Sequence, residues 1–84
     1  MLYADAPSGV TWPDLYQVAR EGLIAGGARR ESAFAIVAAA SQNFRPLRKH
    51  RIIRDDLARF KMVLDAELLA YVRVHGDGAF VVSH

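Results

Sequence analysis

Apolar residues recur along this chain at helical spacing in three separate stretches. Leu15, Val18, Ala19, Gly22 and Leu23 fall at i, i+3, i+4, i+7 and i+8, one stripe of an amphipathic helix. Thr11 and Asp14 stand three apart, the spacing of a capping box, and Pro13 in the first turn costs no hydrogen bond. Gly26-Gly27 supplies a terminator, so the pattern predicts a helix over 12–25. From Glu31 to Gln42 the run is apolar almost all round. Phe34, Val37, Ala38 and Ser41 mark one face, while Ala33, Ala35, Ile36, Ala39 and Ala40 fill the others. Such a helix belongs at the centre of a fold. Asn43 and Pro46 end it.

In the third stretch Ile53, Leu57, Phe60, Leu64 and Leu68 recur at spacings of 4, 3, 4 and 4. Two starts fit. The helix can begin near Leu47, with a distortion about Arg54-Asp55, and we prefer this start; alternatively Asp55 caps a helix of Asp56 to Leu69 and leaves Arg51-Ile52-Ile53 extended. After Leu69 the period changes towards two. Tyr71-Val72-Arg73-Val74 and Ala79-Phe80-Val81-Val82 flank His75-Gly76-Asp77-Gly78, which reads as a β-hairpin. The competing reading carries the helix on to Val74, with Gly76 and Gly78 stopping it.

The expected fold is therefore α+β: a small three-helix domain with a C-terminal β-hairpin. It forms a single domain over 1–84, with an N-terminal arm or edge strand at 1–10 (Leu2-Tyr3-Ala4), helices over 11–69 and the hairpin over 70–83. The expected core is Leu15, Val18, Phe34, Val37, Ile53, Leu57, Phe60, Leu64, Leu68, Val72 and Phe80.

Composition narrows the function classes. With 84 residues and 52% hydrophobic content the chain can pack one small core. It has no cysteine, which removes disulfides, thiolate metal sites and a thiol nucleophile. The longest apolar run, Ala33 to Ala40, is eight residues, against roughly 20 for a membrane span, so no membrane partner is expected. The N-terminus lacks the basic and apolar regions of a signal peptide, and the cytoplasm is the expected address. An alanine- and arginine-rich, lysine-poor composition points to a bacterium or its phage.

Charge placement is the most informative feature. Residues 45–54, Arg-Pro-Leu-Arg-Lys-His-Arg-Ile-Ile-Arg, hold Arg45, Arg48, Lys49, Arg51 and Arg54 with no acid. The other 74 residues carry six basic against nine acidic side chains, a net of −3. On a helix Arg48, Arg51 and, less closely, Arg54 would share a face, with Arg45 and Lys49 flanking. Like charges at that spacing repel, and an anionic partner would turn the repulsion into binding through phosphate contacts. A solvated face, paired to Asp55, Asp56 or other acids, is the plain alternative. Three helices, the third basic, followed by a hairpin resemble the winged-helix layout. The turn glycine of that layout is missing from Asn43-Phe44-Arg45-Pro46, and Asp77 sits at the tip of the wing.

Catalysis and metal binding find no support in the residues. His50, His75 and His84 lack ligand spacing, and His75 with Asp77 makes a poor two-ligand site. The serines sit in no nucleophile elbow, Asp55 and Asp56 diverge by about 100° on a helix, and no glycine run has the phosphate-loop pattern. No enzyme activity and no cofactor is expected. Phe44, beside the basic run, either staples the third helix to the first or stacks on a base. Two functions follow as expectations. The first is a small DNA-binding protein of the regulator or phage or plasmid accessory kind, expected to act as a homodimer, whose helix over 45–54 contacts phosphates. The second is a protein-binding module, such as a phage-encoded inhibitor or a small subunit of an assembly, docking on an acidic protein surface.

Overall fold

The structure, a computed structural model, describes residues 9–48 and 51–80. These form three helices: α1 over Trp12–Ala25, α2 over Arg30–Gln42 and α3 over Arg54–His75, closed by a 3-10 turn at Gly76–Ala79. Thr11 and Asp14 start α1 reciprocally. The Thr11 N–H donates to Asp14 Oδ2 at 3.0 Å and the Asp14 N–H to Thr11 Oγ1 at 3.3 Å, satisfying two otherwise orphaned donors. Gly27 at φ +109° turns the chain out of α1, a conformation costly for any residue with a Cβ. Its neighbour Ala28 donates back to the Leu23 carbonyl at 2.9 Å.

The hairpin is not there. Among the described residues there is no strand, only isolated bridge positions at Ala28, Ile53 and Phe80, and the fold is a small all-helical domain rather than α+β. Tyr71 to Val74 stay inside α3, which runs to His75. Extending an existing helix adds one hydrogen bond per residue fixed, whereas a lone hairpin is marginal in water without a third strand. Tyr71 and His75, one turn apart, stack with ring centroids 4.0 Å apart, a contact only the helical conformation provides. Gly76, at φ +57° and ψ −136°, then breaks the helix. The 3-10 turn returns the chain to the α1–α2 corner, where Arg29 N–H donates to Ala79 C=O at 3.0 Å and Ala28 bridges Phe80 antiparallel. Residues 1–8 of the N-terminal arm expected at 1–10, and residues 81–83 of the expected hairpin, lie outside the described residues.

α2 packs against both α1 and α3, the central place its all-round apolar sequence predicts. Its buried face is Ser32, Ala33, Ile36, Val37 and Ala40. The alanines let neighbouring backbones approach, so Phe34 is displaced to the rim and is 47% exposed. Val18 is 61% exposed, because Trp12 is buried and turns Leu15, Tyr16 and Ala19 inward instead. Of the expected core, Val37 and Phe60 are buried; Leu15, Ile53, Leu57, Leu64, Leu68, Val72 and Phe80 are half-buried. The centre is an aromatic cluster. Phe60 of α3 meets Trp12 at 5.8 Å, Tyr16 at 5.4 Å and Phe44 at 5.4 Å between ring centroids.

Tyr16 gives a pH dependence. Burial disfavours its phenolate and raises its pKa above the ordinary 10. Above that pH the unfolded chain releases a proton that the folded chain retains, so stability falls as pH rises past about 10. Unfolding midpoints measured in an alkaline series should decline for the wild type and decline less for Tyr16→Phe.

Candidate functional site

The described part of the basic decapeptide is not helical before Arg54. Residues 43–48 and 51–53 are irregular, and only Arg54 enters α3. This corrects both the expected helix over 45–54 and the expected start near Leu47. Three local causes work together. Pro46 biases Arg45 away from helical backbone. Five cations at helical spacing would repel one another. Most important, the backbone donors of the segment are taken by a side chain. Asp56, fully buried in the first turn of α3, accepts from the Leu47 N–H at 2.9 and 3.1 Å and from the Arg48 N–H at 3.3 Å.

Arg59, one turn further along α3, completes the clamp. Its Nη1 donates to Asp56 Oδ1 at 2.7 Å and its Nη2 to the Arg45 carbonyl at 3.1 Å. Its guanidinium also lies over the Phe44 ring, 5.2 Å from the centroid. The loop is thus pinned at three residues, Arg45, Leu47 and Arg48, through backbone groups alone. Phe44 itself is buried against Trp12, with centroids 5.1 Å apart, so it is a staple and no base can stack on it.

With the backbone held inward, Arg45, Arg48, Arg51 and Arg54 are all exposed. Lys49 and His50 lie outside the described residues. The fold therefore gathers four of the five expected cations onto one loop and the adjoining helix start, without forming the helical face on which Arg48 and Arg51 were to align. Leu47 is 67% exposed in their midst. Asp56 and Arg59 are what sequence reading missed. Asp55-Asp56 reads as helix capping, yet the N-cap is Ile53 and makes no side-chain cap bond. Nothing in the spacing marks a carboxylate whose partners lie eight and nine residues back.

A second charged feature lies between α1 and α2. Phe34 carries the Arg20 guanidinium 4.8 Å above its ring centroid and that of Arg30 at 5.9 Å. Gln17, Glu21 and Ile24 complete a small open cleft of about 180 Å³. Among the described residues no group of three or more His, Asp or Glu converges as a metal would require, and no helix is long and apolar enough to cross a membrane. No protein-family model, no curated protein and no solved structure matches this chain.

Proposed function

We propose that the 45–54 loop is an anion-binding surface that contacts the phosphates of duplex DNA. The observation that carries this reading is the Asp56–Arg59 clamp. A fully buried carboxylate and its arginine fix the loop by its backbone, while Arg45, Arg48 and Arg54 stay exposed. A loop ordered in advance loses little entropy on binding. Closely spaced cations match the regular charge of a phosphate backbone better than any base pattern.

Three or four neutralised phosphates imply a log–log salt slope of roughly −3 to −4, with dissociation constants of about 10⁻⁴–10⁻⁶ M at physiological salt. Arg45→Ala with Arg48→Ala should flatten that slope by about two and weaken binding to all sequences alike. Folding should be unaffected, because Asp56 and Arg59 hold only the main chain at these positions. Fluorescence anisotropy of a labelled duplex, titrated at several salt concentrations, reads both effects. Absence of binding at about 50 mM salt, where screening is weak, rules the reading out.

Leu47 favours a second reading, an acidic protein surface with an apolar anchor point. Leu47→Ser separates the two: duplex binding is indifferent to it, whereas docking on a protein loses its anchor.

A further inference from the structure

We infer that the outward face of α3 is the contact through which two copies of this chain pair, antiparallel, as a homodimer. α3 has two apolar faces. The inner one carries Phe60, Val63 and Leu64 against the core. On the opposite side Ala58, Met62, Ala66 and Leu69 follow at spacings of 4, 4 and 3, the interval of a helix-packing seam. All four are exposed, Met62 by 72% and Leu69 by 60%. Burying neither costs anything in polar desolvation, and alternation of small and large side chains lets a second helix approach closely.

The charges bordering this seam select a second copy as its occupant. Asp55 and Arg73 are eighteen residues apart, five whole turns, so they lie on one line at opposite ends of the face. Both are exposed. When two α3 helices run antiparallel about a centre near residue 64, Asp55 of each copy meets Arg73 of the other. Met62 then faces Ala66, and Ala58 faces Leu69. On the flank, Lys61 and Asp65 make an exposed pair within one chain at 3.1 Å; the same register sets Lys61 beside Asp65 of the other copy. A parallel pair would place Asp55 against Asp55 and Arg73 against Arg73, so the face is self-complementary in one direction only. α3 has 22 residues, a rod of about 33 Å in a molecule 40 Å long. Its pairing engages most of the molecule's length.

The register also fixes where the two 45–54 loops stand. Each adjoins the start of its α3, and the starts are offset by about 28 Å along the axes and 8–10 Å across them, roughly 30 Å in all. One turn of DNA is about 34 Å. That coincidence of spacing rests on the DNA reading above; the dimer does not.

Sedimentation equilibrium of the full chain without DNA, from micromolar to submillimolar protein, tests the pairing separately. The wild type should approach twice the chain mass with rising concentration. Met62→Glu should weaken association by about 30-fold or more, as loss of a central anchor does, while circular dichroism and melting stay those of the parent. The direction is tested by charge reversal. Asp55→Arg and Arg73→Asp should each be monomeric alone, since each sets like charges together, and should associate with one another when mixed. A wild type that is monomeric throughout overturns the proposal. So does a dimer indifferent to Met62→Glu, and so do single charge variants that dimerise as the parent does.

Discussion

Replacing Asp56 with alanine should cost about 3–5 kcal/mol, the penalty for removing one partner from a buried, hydrogen-bonded charge site. The loss has identifiable parts. The N–H groups of Leu47 and Arg48 lose their acceptor, and each hydrogen bond to a charged group is worth about 1.5–3 kcal/mol. The Arg59 guanidinium is left beside Phe44 with only the Arg45 carbonyl. Asp56→Asn should fall between, because one carboxamide oxygen still accepts while the new NH₂ opposes the loop's donors. Arg59→Ala should cost less, about 1–3 kcal/mol: that side chain is 44% exposed, but the carboxylate it leaves is fully buried and keeps only the loop N–H groups. Urea unfolding gives the energies, and hydrogen exchange localises them. In Asp56→Asn the amides of Leu47 and Arg48 should lose protection before those of α2. If Asp56→Ala were as stable as the parent, the clamp would contribute nothing to the fold.

Phe60→Ala should cost about 3–5 kcal/mol as well, through a cavity rather than a charge. Three rings, Trp12, Tyr16 and Phe44, touch the Phe60 ring and come from α1 and the basic loop, so the void opens where three segments meet. For a domain of this size that loss lowers the melting temperature by at least about 12 °C. The contrast is Phe34→Ala, which should cost about 1 kcal/mol, because the ring is half exposed and forfeits mainly its cation–π contacts with Arg20 and Arg30. The chain's one tryptophan, Trp12, lies inside the cluster, so its fluorescence reports core unfolding directly. Equal melting of Phe60→Ala and the parent would place the ring outside the core.

What could be read from the sequence was what local chemistry decides. The capping box at Thr11 and Asp14 acts within one turn, so the start of α1 is visible in four residues. The crowding of apolar residues in α2 announces a central helix because every side of it needs a neighbour. Two features were not legible. The 45–53 segment is set by a carboxylate eight and nine residues away, competing with a helix that its spacing also allows. Tyr71 to Val74 have strand-like side chains, but the helix behind them was already formed and no third strand exists among the described residues to receive them. The wrong faces chosen for Val18 and Phe34 have one cause. A stripe of apolar positions fixes a helix's period, and its orientation awaits the largest ring, here Trp12 in α1 and the alanine contacts in α2. The candidate site was legible as composition and illegible as shape.

The tie between Arg29 and Ala79 joins residues fifty apart in sequence; among the helices α1 packs on α2 and α2 on α3, and α1 also meets α3 where the rings of Trp12 and Tyr16 touch Phe60. Contacts between sequence neighbours form first, and those that close long loops, this tie among them, come later. The 3-10 turn beyond Gly76 is therefore a latch set after the helices have docked, and it opens without them. Held by one antiparallel bridge, of which the Arg29 N–H to Ala79 C=O bond is part, it should let the Arg29 amide exchange with solvent faster than global unfolding, while the amide of buried Ala40 should wait for the whole domain to come apart.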